Sequence, residues 1–526
     1  MLKRFFALLL ARPGLTAIIA GAASATGFAP LGLWPVTLVM LALLLWLLEH
    51  APGHRAAFAL GWLFGVGHFT IGNNWIATAF TFQAKMPAWL GWLAVPLLSL
   101  YLAIFIGLAT WAAWAAWQRV TAPRQPGEAR NPLILALFFA AAWIVTEWMR
   151  SWVFSGFAWN PLAAVGIGVA QTTAVIGTYG QSALWVTFAA ALLAAARIRL
   201  GRAVLLGLPM AAAATWSWVE PGMTAIGESG TPFTVVQPNI GQGDKYDMQL
   251  RAENYAKLAA LSPRLPEQPP RLLLWPEAAV PDYLEEGYPL EWYIEAPAFV
   301  RAQLAGLLGG EDLLVTGAVK LDPTPDGRDV AYARNSVFTM DAMGRLGPRY
   351  DKAHLVPYGE YLPMRIILEP LGISRLVPGA IDFRHGPGAR TLDLGRFGQM
   401  GVQVCYEIIF SGQVVDRANR PDFIFNPSND AWFGSWGPPQ HLAQARLRAI
   451  EEGLPVIRAT PTGISAVIDA DGRIVDSLGM GVAGRMDGLV PAAHTPTLFA
   501  RFGNILPLGL AFLLAISAVA LARRRG

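Results

Sequence analysis

Cysteine occurs once in 526 residues, at position 405. A single thiol excludes an internal disulfide and leaves a zinc site of the common thiolate-rich kind without its ligands. Charge is scarce as well: Asp, Glu, Lys and Arg make up 14% of the chain, against 54% hydrophobic residues and 20 tryptophans. With a mean hydropathy of +0.40, the composition excludes an ordinary soluble protein of this length. Acidic residues are nearly missing from positions 1–219, which carry 12 Lys/Arg and 3 Asp/Glu, whereas 220–500 carry 24 and 33. The isoelectric point of about 9.2 therefore describes membrane flanks, and nucleic-acid binding is rejected.

What the first 219 residues do hold is a series of apolar segments of membrane-spanning length. They read as 13–29, 33–48, 56–80, 88–117, 131–149, 163–196 and 203–219, with an eighth at 503–522. The apolar character continues through Leu48, so the N-terminus reads as anchored rather than as a cleaved signal peptide. Basic loops set the orientation. Lys3 and Arg4, Arg55, the set Arg119, Arg124 and Arg130, the set Arg197, Arg199 and Arg202, and Arg523–Arg525 all fall on one side of eight spans, with Lys85 and Arg150 as exceptions. Both termini are then cytoplasmic, and the segment 220–502 lies outside the cytoplasm. The short aromatic stretch Ser151–Pro161 (SWVFSGFAWNP) reads either as an interfacial belt or as a membrane-embedded loop below a site. Glu147, near one end of the fifth span, is expected to face the bundle interior. No buried ionisable pair is expected within the spans.

From about residue 230 the pattern changes to short β-rich runs between turns and helices. Phe233–Val236, Arg271–Trp275, Asp312–Val319, Asn335–Met340, Gly401–Cys405, Asp422–Asn426, Pro455–Ala459 and Ser465–Ile468 read as strands, several of them apolar on both faces. Met248–Leu261 and His441–Glu452 read as helices, and Asp471-Gly472 as a hairpin turn. The alternation predicts a layered α/β domain large enough for its own core. The chain thus divides into a transmembrane domain at 1–219, an outer domain at 220–502, and a C-terminal span with a basic tail at 503–526.

Three stretches of the outer domain carry groups that could do chemistry. Trp275-Pro276-Glu277-Ala278-Ala279-Val280-Pro281 sets an acid directly after a buried strand, where burial would raise its pKa and suit it to general-base work. Tyr350-Asp351-Lys352-Ala353-His354-Leu355-Val356-Pro357-Tyr358-Gly359-Glu360-Tyr361 supplies a lysine and a second acid. Gly401-Val402-Gln403-Val404-Cys405-Tyr406-Glu407 ends a strand on the thiol. Cys405 reads as either a small core residue or a nucleophile. A nucleophilic thiol needs a base, and an acyl transition state needs a cation or N–H donors; Glu, Lys and Cys would fill those roles. Taken singly, Glu277 reads equally as a loop acid, Lys352 as a snorkelling lysine and His354 as a structural histidine.

The motifs WPEAAVP, YDKAHLVPYGEY, VCYEIIF and SNDAWFG, in this order, resemble those of the nitrilase (carbon–nitrogen hydrolase) superfamily. With the multi-span first half and one C-terminal span, the whole chain is similar to the membrane-bound lipoprotein N-acyltransferases of that superfamily. The resemblance implies a polytopic α-helical membrane domain of about eight spans plus an extracytoplasmic α/β nitrilase-like α-β-β-α sandwich. It implies a catalytic triad of Glu277, Lys352 and Cys405 and ping-pong acyl transfer from a phospholipid, usually phosphatidylethanolamine, through a Cys405 thioester. The implied acceptor is the α-amine of a diacylglyceryl-cysteine at the N-terminus of an apolipoprotein. Lys352 and the Tyr406 backbone N–H would hold the oxyanion. Glu360 and Glu407 match or neighbour family acids that would orient Lys352 or tune the thiol. Trp432 matches a lid loop with Gly434 and Gly437 as hinges, and Arg446 matches an arginine that could meet phosphate. Where the family often has a tryptophan, this chain has Tyr246, expected to keep a wall role. No metal or organic cofactor is implied. The implied setting is a monomer in the bacterial inner membrane with its catalytic domain periplasmic.

Two rival readings frame these expectations. A membrane-tethered amidase would keep the triad but would need only one span. A transporter with a vestigial outer domain would need charged or broken helices within the membrane.

Overall fold

The computed structural model describes residues 2–82, 87–121, 130–219, 230–245, 247–264, 268–371 and 381–524. Lys85, Arg124, Tyr246 and Arg525, singled out above, lie outside that set. The apolar first half forms helices because nothing in it offers the backbone another partner: in hydrocarbon every N–H and C=O must be satisfied within the segment. The principal helices are Pro13–Ser24, Trp34–Glu49, His54–Gly72, Leu90–Val120, Pro132–Arg150, Thr173–Ala196 and Leu200–Val219, and Ile505–Arg523 joins them from the far end of the chain. Four of these, Leu90–Val120, Pro132–Arg150, Thr173–Ala196 and Ile505–Arg523, are long and apolar enough to cross a membrane. At 1.5 Å per residue the 31-residue helix reaches roughly 46 Å, more than the hydrocarbon core of about 30 Å. Small residues set the packing, as is usual where helices meet without a hydrophobic driving force. A Cβ at Gly61 would lie 2.1 Å from Thr110 Oγ1, and one at Gly65 2.8 Å from the Ala103 Cα.

The expectation of no buried ionisable pair in the helices is not met. Glu147 and Arg150, three residues apart on Pro132–Arg150, are both buried. Each is used locally. Glu147 Oε1 accepts from Leu162 N at 2.8 Å, and Arg150 Nη1 donates to the carbonyls of Phe157 and Trp159, each at 2.8 Å. Together they clamp the stretch Ser151–Pro161 at both ends. Buried loop carbonyls need donors, and a guanidinium supplies several in a fixed fork. The helix Thr173–Ala196 is also broken at Gly177, whose φ of +68° is left-handed. The freed Thr178 N–H donates to Glu451 Oε1 at 2.7 Å, so the break is capped by the β-rich half of the chain.

Among the described residues, the β-rich second half of the chain holds two six-stranded sheets. The strands are β1 (Pro232–Gln237), β2 (Leu272–Leu274), β3 (Leu313–Pro323), β4 (Val330–Asp341), β5 (Leu346–Asp351), β6 (Thr391–Asp393), β7 (Gln399–Val402), β8 (Phe423–Pro427), β9 (Val456–Ala459), β10 (Ser465–Ile468), β11 (Ile474–Leu478) and β12 (Gly484–Leu489). One sheet runs β12-β1-β2-β3-β4-β5 and the other β11-β10-β9-β8-β7-β6. All eight expected strands are present. The four that the pattern did not announce are β5, β6, β11 and β12. β11 is exposed at four of its five residues and β12 at three of its six, and β6 is only three residues long. Strand alternation sorts the core into layers. Phe233, Val235, Leu272, Leu274 and Val315 share a core with Met400, Val402, Ile424 and Val456 of the second sheet. Their neighbours Val236, Leu273 and Leu314 face outward onto Leu258, Val300 and Leu304 of helices Arg251–Ala260 and Pro297–Ala305. Helix Gly437–Glu452 covers the second sheet, completing an α-β-β-α sandwich. The turn at Asp471-Gly472 joins β10 to β11 as expected, with Gly472 at φ +74°.

Candidate active site

β2 lies third in its sheet between two parallel neighbours, and β7 lies next to the edge strand β6 and parallel to β8. Three residues past the end of each comes a residue that carries chemistry. After β2 the chain folds back onto β3: Gly317 N donates to Pro276 O and Val280 N to Gly317 O. A side chain at 317 would stand 2.2 Å from Ala278 N, so only glycine lets the Glu277 turn lie this close to the sheet. After β7, Cys405 adopts φ +50°, a left-handed conformation costing on the order of 1–2 kcal/mol for a residue with a Cβ. The surrounding bonds hold it there. Gln403 N donates to Phe425 O at 2.9 Å, Val404 N to Glu407 Oε2 at 2.7 Å, and His441 Nε2 to Cys405 O at 3.0 Å.

The structure brings Glu277, Lys352 and Glu360 into one buried cluster. Lys352 Nζ lies 3.3 Å from Glu277 Oε1 and 3.0 Å from Glu360 Oε1. Asn335 on β4, which sequence reasoning passed over, donates through Nδ2 to both carboxylates, at 2.7 and 2.9 Å. Its only trace in the sequence is a polar residue opening an otherwise apolar strand. Glu360 Oε2 accepts from Val356 N, so this acid is fully occupied. Glu277 Oε2 is buried and has no hydrogen-bond partner among the described residues. Lys245, the residue before Tyr246, donates to the Glu277 carbonyl at 2.9 Å and was also missed.

The charge states follow from this arrangement, and one of them reverses the expectation. Burial pushes Glu277 up, but Lys352, Lys245 and the Asn335 amide outweigh it, and its pKa is lowered. Glu277 is therefore a resting carboxylate. Burial alone would pull Lys352 down, yet Glu277 and Glu360 raise it, so the ammonium stays charged. Burial brings Lys245 down to about 8, against the pull of Glu277. The Cys405 thiol is raised well above its ordinary value, first by burial and then by Glu277, with Lys352 acting the other way. The thiol therefore rests protonated, within the electrostatic reach of the Glu277 carboxylate.

The other expected residues divide. Tyr406 is buried; its hydroxyl donates to Gly156 O at 3.1 Å, so the aromatic stretch after Arg150 packs under the Cys405 turn. Trp159 of that stretch is fully buried and donates to Gln440 Oε1 at 2.8 Å, which rules out a simple interfacial belt for this ring. Glu407 touches neither Lys352 nor the thiol. Its carboxylate accepts from Tyr350 Oη, Ala353 N, His354 N and Val404 N, pinning the Lys352 loop to the cysteine turn, and burial raises its pKa to about 7. Trp432 is half-buried, edge-on to Phe82 at 5.7 Å, and Gly434 and Gly437 permit close approach to Thr78 and Phe433. Arg446 is not at the cluster: its Nε donates to Gly472 O at the β10–β11 turn. It sits on the helix face toward that turn, a placement that periodicity could not reveal. His354 stacks on Phe410 at 4.0 Å and serves no thiol.

Behind Cys405 lies a second cluster that was not anticipated. Asp430, His441 and Arg458 are essentially solvent-free. Donor atoms of Cys405, Asp430 and His441 lie within 4.8 Å of one another, a spacing that could suit a metal ion. Those of Asp430 and His441 are already engaged, however: Arg458 Nη2 is 2.6 Å from Asp430 Oδ2, and His441 is bonded at both ring nitrogens. A guanidinium in that place makes the group a hydrogen-bond network.

Residues 20–191 match the apolipoprotein N-acyltransferase N-terminal domain, and residues 233–484 match the carbon–nitrogen hydrolase family. The chain is 35% identical to the apolipoprotein N-acyltransferase of Rhodopseudomonas palustris, over 97% of this chain and 95% of that one. It is 36% identical to the protein of the same name from Bradyrhizobium diazoefficiens, over 97% and 95%. Among solved structures, it is similar to a mutant of the Nesterenkonia AN1 amidase from the nitrilase superfamily. That match has a TM-score of 0.35 and 18% identity, over 51% of this chain and 93% of that one.

Proposed function

The chain belongs to the apolipoprotein N-acyltransferase family, and on that premise we propose that it N-acylates the N-terminal diacylglyceryl-cysteine of apolipoproteins in two half-reactions through Cys405. In the first, Glu277 Oε2 takes the thiol proton as Sγ attacks the carbonyl carbon of a phospholipid ester. The C–O bond breaks, the proton passes to the departing oxygen, and a lysophospholipid leaves a thioester behind. In the second, the α-amine of the acceptor attacks the thioester, loses a proton to Glu277, and departs as an amide while Cys405 regains its hydrogen. Lys352 Nζ and the Tyr406 N–H hold the oxyanion in both steps. The observation that carries this reading is the partnerless, buried Oε2 of an ionised Glu277, in a cluster whose charges act on the only cysteine of the chain.

The two-part build supports a membrane setting for the reaction. Both substrates carry hydrocarbon tails, so a nucleophile turn resting on a loop of the helical half meets them at the membrane surface. Water must be kept from the thioester or the enzyme becomes a phospholipase. Aromatic side chains share the core around Cys405: Tyr406, Phe410 and Phe433 belong to it, and Phe157 packs against Tyr406. The proposed topology has eight spans in the inner membrane, residues 1–219 holding seven and 503–526 the last, with a periplasmic catalytic domain in between. Both termini lie in the cytoplasm, and the donor is phosphatidylethanolamine bound by a monomer.

The decisive experiment is the intact mass of detergent-purified protein after incubation with phosphatidylethanolamine and no acceptor. A gain of one acyl group, released by hydroxylamine and transferred to a diacylated lipopeptide on its addition, is the expected result. Folded protein that gains no acyl mass from any phospholipid offered would overturn the proposal. The topology has its own check, helped by the burial of the one native thiol. A cysteine placed at Arg199 should react with a membrane-impermeant maleimide from the cytoplasmic side only, and one placed at Arg328 from the periplasmic side only. The reverse pattern contradicts the orientation.

A further inference from the structure

The Asp430–His441–Arg458 network has no part in the proton transfers above, yet it touches the nucleophile's own backbone. His441 Nε2 lies 3.0 Å from Cys405 O. A carbonyl can only accept, so Nε2 carries the proton. The Cys405 C=O and the Tyr406 N–H belong to one peptide unit, which is planar, and no cis bond is found there. In a trans unit the two groups point in opposite directions. Whatever fixes the carbonyl therefore aims the N–H. This unit needs fixing, because Cys405 is left-handed and a side-chain-bearing residue does not hold that conformation without support.

We infer that His441 is the positioning residue for the oxyanion-binding N–H of Tyr406, held in place by Asp430 and Arg458. The inference rests on the acyl-transfer reading given above. The ring is locked on every side. Its Nδ1 faces Asp430 Oδ1 at 2.9 Å and Arg458 Nη2 at 3.0 Å. Trp159 of the helical half packs on one face with ring centres 5.1 Å apart, and Phe433 packs edge-on at 5.7 Å. Arg458 is held in turn by Ser428 Oγ and the Asn426 side-chain oxygen. A second effect works in the same direction: a carbonyl that accepts a hydrogen bond polarises its peptide unit and strengthens the N–H as a donor. His441 thus acts on the transition state without touching substrate, through the three covalent bonds of one peptide unit that carry the Cys405 carbonyl oxygen to the Tyr406 amide hydrogen.

The test separates chemistry that makes an oxyanion from chemistry that does not. Acylation by phosphatidylethanolamine builds a tetrahedral oxyanion on the way to the thioester, whereas alkylation of the same thiol by iodoacetamide displaces iodide and builds none. Both rates are measured on full-length wild type, His441→Gln and His441→Asn. A glutamine amide reaches the Nε2 position, and an asparagine amide reaches only as far as Nδ1. The asparagine variant is expected to acylate on the order of 10²-fold more slowly at unchanged KM, to alkylate within about threefold of wild type, and to be rescued about tenfold by glutamine. Should the asparagine variant not fold, Asp430→Asn carries the same comparison, with acylation falling while alkylation holds. Parallel loss of both rates, wild-type acylation in His441→Asn, or equal behaviour of glutamine and asparagine overturns the assignment. A wild type that forms no acyl adduct removes the acyl-transfer reading and this one with it.

Discussion

Cys405→Ala protein, incubated with phosphatidylethanolamine as above, is expected to gain no hydroxylamine-labile acyl group, while its fold and membrane insertion stay intact. Two amines near the thiol are the competing acceptors of an acyl chain. Lys352 is excluded by its charge, since two carboxylates hold its proton above the ordinary lysine range and no lone pair is available. Lys245, brought down to about 8, is nucleophilic near neutrality, but acylation there would give an amide that hydroxylamine leaves in place. The chemistry of release therefore identifies the atom. Alanine keeps the Cβ and the left-handed backbone of position 405 and removes little volume, so thermal unfolding should shift by less than roughly 1–2 kcal/mol. Hydroxylamine-labile acylation of folded Cys405→Ala would contradict the role given to the thiol.

Lys352→Met should lose activity by at least about 10³-fold and destabilise the fold by about 3–5 kcal/mol. Methionine fills similar space, so the loss is electrostatic. Glu277 and Glu360 share the Lys352 ammonium inside a cluster almost free of solvent, and its removal leaves two buried carboxylates facing one amide. The pH dependence supplies the sign. In the wild type Glu277 lies below its ordinary value near 4.5, so its contribution is complete above that pH and is lost as pH falls through the folded pKa. Lys352 lies above its ordinary value near 10.5, so its contribution is complete below that pH. With the lysine gone, the cause that remains largest for Glu277 is burial, which drives it upward. The variant should then lose stability as pH climbs from about 4.5 toward neutrality, over a range where this group leaves the wild type flat. Glu407, raised to about 7 in the wild type, is held down in part by Lys352, so it moves further up in the variant and adds to the loss of stability in the same direction. Thermal unfolding of both proteins across pH 4–9 decides the matter, and superimposable profiles would disprove the shared-ammonium account.

Much of this protein was legible before any coordinates. Hydrophobic run length separates the helical half from the β-rich half, because a segment that must bury its backbone in hydrocarbon or in a helix bundle cannot afford polar interruptions. Several central strands, β2 most clearly, announce themselves by short apolar runs, since both faces are covered. Edge strands β6, β11 and β12 do not: β6 is only three residues long, β11 and β12 are exposed over half their length or more, and β12 pairs with β1, more than 240 residues earlier in the chain. Glu277 and Cys405 stand just past apolar runs, but Lys352 and Glu360 could be singled out only through the order of the motifs that resembles the nitrilase superfamily.

Local company could not say what state those groups are in. Burial was visible from the neighbours of Glu277 and argued for a raised pKa. The lowered one comes from Lys352, 75 residues further along the chain, which only packing brings to 3.3 Å. The same holds for Asn335, an unremarkable strand residue until β4 sets its amide between two carboxylates. It holds for Glu407, whose position beside the nucleophile suggested the thiol but whose carboxylate turns to the β5 loop, and for Arg446, whose helix face points to a turn. It holds most of all for His441, whose ring reaches the cysteine carbonyl across 36 residues of chain. Sequence determines which groups are present and which segments must be buried, because solvation depends on composition over short windows. Charge state and aim were decided only by the tertiary structure, because they depend on distances of a few ångströms between residues that the chain order keeps far apart.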